Sequence, residues 1–447
     1  SLLSSILILL ALPGKLVATG KLSRIEDPVV VAGEVLAPLL GAGLDRLSLM
    51  VWTADVKPVP FQVDEKDEMG EYVFAMSVKG TEITPSNAVD QDPSLDANDE
   101  LVFMVFDAGD RCPEGSAPAD AEKGVELEIV DPVDGGRAWL YLFSFEKDIP
   151  HSEKDYVKLI IAPERRVSRV EAKNYIVETV KNTTYYNYIS LIHSDGTQSH
   201  DLIDHFKIRL IVSILFNTIE IPFAMDELFQ AETSAFTDGP IRVISLGSGY
   251  MKGPAGIKLS GGRSVVKNYP NSFIIPIHLQ VPLDAKVLLS DIQLHGANDF
   301  NENAYGTYYY DEHNPYNPEV VLDGKMSEAE RKMDYKSDHD WLVVMTPYGT
   351  TVFRLIFPPE WDFLNKGLYY KDDPMFEDPP EDNPGVIAVG FDIDNFIDLK
   401  RGAYTYYFQY YFPHNFKVGD EKMILNIMDR PLEVKVHPIK YTVPSTP

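Results

Sequence analysis

ELVFMVF at residues 100–106 is followed by VELEIV at 125–130 and AWLYLFSF at 138–145. Each run is short, rich in β-branched or aromatic residues, and bounded by Asp, Gly or Pro, which is the pattern of a strand. DPVDGG at 131–136 supplies the turn chemistry between the last two. Working outward, LSLMVW (47–52) and EYVFAM (71–76) repeat the pattern on the N-terminal side. Strands at this spacing predict an antiparallel sandwich.

The same signals continue to the end of the chain. VKLIIAP (157–163), YIVETV (175–180), IRVISLG (241–247), SFIIPIHLQVP (272–282), KVLLSDIQLHG (286–296), WLVVMTP (341–347), TTVFRLIFPP (350–359), VIAVGFDI (386–393), AYTYYFQYYFP (403–413) and LEVKVHPIKYTV (432–443) all read as strands. In the run at 403–413, alternation places Tyr404, Tyr406, Phe408 and Tyr410 on one face and Tyr407, Gln409 and Tyr411 on the other. HFKIRLIVSILF (205–216) reads as a strand or a buried helix. Helix signals are few: APLLGAGLDRL (37–47), and SEAERKM (327–333) with Ser327 and Glu330 at capping-box spacing. The expectation is an all-β protein of two antiparallel β-sandwich-like modules, 21–155 and 156–447, preceded by an apolar segment at 1–20. The linker FEKDIPHSEKD marks the boundary.

Composition narrows the function classes. Lys and Arg total 40 against 68 Asp and Glu, a net charge of −28. Such a surface repels phosphate backbones and disfavours nucleic acid as a partner. The lone cysteine, Cys112, excludes an intrachain disulfide, and no haem-attachment or zinc-type Cys/His spacing is present. No GxSxG, Walker A or Rossmann glycine pattern occurs either. GSGYMKGPAG (247–256) lacks the following helix that a phosphate cradle needs, and reads as a hairpin loop.

The chain opens SLLSSILILLALPGKLVATG. Its apolar run resembles the core of a secretory signal and is shorter than the roughly 20 residues that span a bilayer. Leu2, Leu3, Ile6, Leu7, Ile8, Leu9 and Leu10 are the candidate docking or anchoring residues, toward a protein partner, a second copy or a membrane. The alternative is burial in the protein's own core. An exported location, periplasmic, cell-surface or extracellular, is expected.

Four clusters are candidate sites. Asp90, Asp92, Asp96, Asn98, Asp99 and Glu100 supply a density of hard oxygen ligands suited to Ca²⁺, or else an Asx-capped turn before the strand at 100–106. Asp392, Asp394, Asn395 and Asp398 form a sparser acidic set. His193, Asp195, His200, Asp204 and His205 are the densest histidine region, but no HExxH exists and a polar loop is the expectation. In NDFNENAYGTYYYDEHNPYNPE (298–319), Tyr305, Tyr308, Tyr309, Tyr310 and Tyr316 alternate with Asn, Asp and Glu. That mix suits a glycan or a protein interface, or a self-packed loop.

PFQVDE at 60–65 is echoed by PFAMDE at 222–227, but the flanking residues do not align and the echo is not a duplication. Alternation sends Phe61 and Val63 to one face and Gln62 and Asp64 to the other. Asp64 and Glu65 either end a strand or meet the acidic loop at 90–100 through a shared cation. VPFQVDEKDEMGEYVF, LDANDELVFMVFDAGDR and DGPIRVI resemble segments of uncharacterised secreted bacterial and archaeal proteins, and similar strands occur in β-sandwich parts of polysaccharide-processing proteins. The resemblance covers about the first 110 residues and 238–244. It implies an exported β-sandwich and carries no catalytic residue. Two functions follow as expectations: a non-enzymatic envelope subunit, or a carbohydrate-active protein using the Tyr-rich loop.

Overall fold

The computed structural model describes residues 21–439 apart from 81, 87–92, 114–116, 163–166, 181–185, 215–218, 225–228, 253–257, 282, 288, 374 and 377–385. The protein is all-β, built from antiparallel sheets with a few short helices. The candidate docking residues Leu2–Leu10 lie outside the described residues, as do Asp90 and Asp92.

The first nine strands are β1 (Pro28–Ala32), β2 (Leu47–Trp52), β3 (Val56–Pro58), β4 (Gln62–Asp64), β5 (Met76–Lys79), β6 (Glu82–Pro85), β7 (Glu100–Met104), β8 (Ala121–Val130) and β9 (Arg137–Phe145). A sheet ordered β1-β7-β4 packs on a second sheet in which β8, β9, β2 and β3 follow one another. Val29, Val31, Leu101 and Phe103 from the first meet Leu47, Leu49, Leu127 and Leu140 from the second in a single core. Burial on this scale is the main force holding the two sheets face to face. The expected helix at 37–47 is a pair of 3-10 segments, Gly33–Leu39 and Leu44–Arg46. Pro38 lies inside the first, and its missing N–H and fixed φ disfavour a regular α-helix there.

The run at 100–106 ends as a strand at Met104 and turns into a 3-10 segment, Val105–Asp107. Leu101, Val102, Phe103 and Met104 are all fully buried, which explains why this run is apolar without alternation. Leu101 and Phe103 face the sandwich core, while Val102 and Met104 pack on Ile241 and Tyr269. β7 is therefore covered by the first sandwich's core on one face and by Ile241 and Tyr269 on the other.

The remaining strands, apart from Glu433–Pro438, form a five-stranded sheet, a four-stranded sheet and an eleven-stranded sheet that also takes in β5 and β6. HFKIRLIVSILF resolves as strand, Ile203–Ile214. Phe408 and Tyr410 lie in the main core with Tyr404 and Tyr406 against it, as alternation predicts, and Phe273 stacks on Tyr410 at 4.6 Å. The boundary at 155 is crossed twice by strand pairing. β5 and β6 extend the edge of the eleven-stranded sheet through Phe236 and Ala235, and the strand Glu433–Pro438 returns to pair with β8. Among the described residues no helix is long and apolar enough to cross a membrane.

Candidate functional site

The segments PFQVDE, DELVF and DGPIRVI, distant in sequence, meet at one buried point. β4 turns Gln62 and Asp64 inward, 7% and 2% exposed, and sends Phe61 and Val63 toward the sandwich core. The Arg242 guanidinium lies fully buried where the N-terminal strands β4 and β7 meet the segments around residues 241 and 269. Its Nε donates to Asp64 Oδ2 at 2.7 Å, one terminal nitrogen donates to the Tyr269 hydroxyl at 2.8 Å, and the other donates to Glu100 Oε2 at 2.5 Å. The shared cation that joins Asp64 to the end of the acidic stretch is thus an arginine side chain.

The groups around it are satisfied in turn. Gln62 Oε1 accepts from the backbone N–H groups of Ile241 and Arg242 at 3.0 and 2.8 Å, and its Nε2 donates to Asp64 Oδ1 at 2.8 Å. A Cβ at residue 239 would stand 2.4 Å from Gln62 Oε1, so the close approach of these two segments requires Gly239. Glu100 Oε1 accepts from Lys66 Nζ at 2.5 Å, and Oε2 accepts also from the Tyr72 hydroxyl at 2.8 Å. Lys66 and Tyr72 are brought opposite each other by a tight turn in which Asp67 accepts from the N–H groups of Met69 and Glu71 and Gly70 takes a left-handed φ of 79°. Burial pushes the Glu100 carboxyl up, but Arg242 and Lys66 outweigh it and hold the group at about 2. Burial also pushes the Tyr72 hydroxyl far above its ordinary range against the pull of Arg242, and Glu100 beside it adds to the effect.

Beside β4, Pro60, Phe61, Val63, Pro150, His151 and Pro240 line a cleft of about 390 Å³. Among the described residues His151 is its only titratable lining residue, and none of them supplies a carboxylate pair for glycoside chemistry.

The other candidate residues separate. Asp99 is a cap: Oδ1 accepts from Lys66 N at 3.0 Å and Oδ2 from Asp96 N at 2.8 Å. Asn98 Nδ2 donates to the carbonyls of Lys66 and Asp67. The described part of the acidic loop thus serves as a turn that holds the 66–72 segment in place. Among the described residues no group of three or more His, Cys, Asp or Glu side chains is arranged to hold a metal ion. Asp195 closes an Asx turn onto Thr197 N and His193 lies beside Tyr348, while Asp204 and His205 sit in the strand Ile203–Ile214, so the histidine region is part turn and part strand, not one polar loop. Asp398 is paired with Lys286, and Asn395 takes a left-handed turn conformation.

The Tyr-rich segment divides by burial. Tyr309 and Tyr310 are 1% and 3% exposed, and their hydroxyls donate to Asp311 and Glu421. They hold the loop from inside and present no ring face to a ligand. Tyr305 and Tyr316 are 38% and 40% exposed, with Tyr308 5.8 Å from Tyr316. His339 is fully buried, with its Nε2 facing Asp311 Oδ2 at 3.4 Å and its Nδ1 meeting the Ser337 carbonyl at 2.5 Å. With both ring nitrogens engaged and no surface exposure, this His–Asp pair braces the loop and has no nitrogen left to act as a base.

The sequence signal for the Arg242 site was present but dispersed. Asp64, Glu100 and Arg242 are each a charged residue beside an apolar run, and nothing local says that the three meet. No protein-family model matches the chain, and a search of curated proteins returned no match either.

Proposed function

We propose that the protein is a non-enzymatic, exported β-sandwich protein acting as an accessory or structural subunit of a larger membrane-associated or extracellular assembly. The observation that carries this reading is the Arg242 site: the most distinctive segments of the sequence are spent on joining two modules, with their acid, amide and guanidinium groups satisfied by one another. A catalytic constellation would leave an acid, base or nucleophile facing a cleft. The His339–Asp311 pair supports the same reading, since both its members are enclosed. The apolar run at 2–10 supplies the means of docking.

The test is the size of the native particle purified in mild detergent, for the full chain and for a chain lacking residues 1–19. A large complex or fibre that collapses to a monomer on truncation is the expected result. Two monomers would sink the assembly reading. A second reading is favoured by the exposure of Tyr305 and Tyr316: a glycan-binding surface on the 298–319 loop. It predicts that Tyr316→Ala abolishes retention on a glycan that the wild-type protein binds, with unchanged thermal stability.

A further inference from the structure

Three cations surround the ring of Tyr72. Lys66 Nζ stands 4.9 Å from its centroid, Lys267 Nζ 5.3 Å and the Arg242 guanidinium carbon 5.7 Å. Two carboxylates, Asp64 and Glu100, answer them, and both are already committed. Asp64 accepts from Gln62 and Arg242, while Glu100 accepts from Lys66, Tyr72 and Arg242. Lys267 makes no side-chain hydrogen bond and no ion pair with any described residue. It projects from the strand Lys258–Tyr269, opposite Ile244 and Ile274, into the layer closed by the 66–72 turn. Lys66, Tyr72 and Lys267 are each partly exposed, so the layer opens to solvent beside the lysine. An ammonium that is partly buried without an acceptor is costly, and it is out of place in a chain of net charge −28.

We propose that Lys267, with Lys66 and the ring of Tyr72, forms a receptor for a single carboxylate, presented by a small organic acid or by a uronic-acid sugar. The count of charges selects the ligand class. Three cations against two carboxylates leave one positive charge, which a monoanion neutralises and a phosphate dianion overshoots. Hydrogen bonding to Lys267 Nζ supplies the acceptor the side chain lacks, in a pocket drier than bulk water. Burial and the neighbouring Arg242 guanidinium push the Lys267 ammonium below its ordinary range, with Glu100 pulling the other way. A bound carboxylate raises it again, so binding and proton uptake at this amine are linked.

The experiment uses the full chain with its lysines ¹³C-methylated. Lysine resonances are followed by NMR against sodium acetate, sodium galacturonate, neutral galactose and sodium phosphate, with sodium chloride as the ionic-strength reference. The expected result is one resonance with a low amine pKa that rises saturably with acetate or galacturonate and ignores galactose and chloride. Lys267→Met removes that resonance and weakens binding about tenfold or more, the loss of one charge-assisted hydrogen bond. Lys267→Arg keeps the binding. Galacturonate binding far tighter than acetate assigns the sugar as the source, and equal binding assigns a small acid. Tighter, Lys267-dependent binding of phosphate overturns the carboxylate assignment. An unmoved resonance, or a response that survives in Lys267→Met, overturns the site itself. Should that variant fold poorly, the thermal midpoint of the wild-type protein decides: a rise with galacturonate over chloride supports the site, and no rise refutes it.

Discussion

Two buried arginines tie the N-terminal part of the chain to the C-terminal part, and they do it differently. Arg242 is surrounded by side chains, with Asp64, Glu100 and Tyr269 taking its donors. Arg24, 3% exposed, pairs with Asp27 and Asp131 and donates to the carbonyls of Arg430 at 2.8 Å and Asn426 at 3.1 Å. Those carbonyls lie at the C-terminal end of the helix Glu421–Asp429, where a cation is favoured by the unsatisfied peptide groups. The two sites drive their acids in opposite directions. Glu100 is held at about 2, whereas burial raises Asp27 to about 6 against the opposing pull of Arg24. Pairing with arginine does not fix the sign. Glu100 has Lys66 and Tyr72 as further donors, while Asp27 has Arg24 alone and the charge of Asp131 nearby.

The largest effect follows from breaking the richer site. Arg242→Met leaves Asp64 and Glu100 without their common partner, and a loss of about 3–5 kcal/mol is expected in urea unfolding at pH 7. Replacing all three together, as Arg242→Met with Asp64→Leu and Glu100→Leu, recovers most of it. A loss within the scatter of ordinary surface substitutions would mean that the site is not what joins the modules.

Acid titration comes next. The folded pKa of Glu100 is depressed, so its stabilisation is complete above 4.5 and is lost as pH falls from there to about 2. By linkage this is worth about 3 kcal/mol. Glu100→Gln removes that part of the acid slope. Asp27 runs the other way. Its folded pKa is raised from 3.8 to about 6, so its contribution is present below 3.8 and is lost as pH rises through about 6. Asp27→Asn therefore gains on the wild type as pH climbs from 4 to 7, the reverse of Glu100→Gln, and parallel curves for the two variants would erase the contrast between the sites.

How much of this was legible in the sequence follows from range. Alternation at 403–413 and the capping box at Ser327 and Glu330 are local patterns, and both stand in the structure as read. That Gln62 and Asp64 share the face opposite Phe61 and Val63 was likewise readable from period two, but that this polar face is buried was not. Their partner was not, because Arg242 lies 178 residues from Asp64 and only the packing of β7 against Ile241 and Tyr269 brings it there. The Tyr-rich segment divides for a related reason. Composition marks tyrosines as interface residues, but burial decides, and Tyr309 and Tyr310 spend their hydroxyls on Asp311 and Glu421. The crossing of the 155 boundary by the strand Glu433–Pro438 is a pairing between distant segments that no local signal carries.

The smallest effect sharpens how the Arg24 site works. The helix Glu421–Asp429 is held at both ends: the Tyr310 hydroxyl donates to Glu421 Oε2 at 2.7 Å at its start, and Arg24 caps carbonyls at its finish. The Gly419 N–H also donates to Glu421, so Tyr310→Phe leaves that carboxylate one partner and is expected to cost about 1 kcal/mol. Arg24→Met, which strands an Asp27 already able to take a proton near neutral pH, is expected to cost about 1–3 kcal/mol. The ends of a nine-residue helix are about 13 Å apart and share no side-chain partner, so the double variant should lose the sum of the two within about 0.5 kcal/mol. A double loss well short of the sum would mean that the helix detaches as a unit once either end is cut. Arg24 would then act through the helix and not, as Arg242 does, by holding carboxylates in the core.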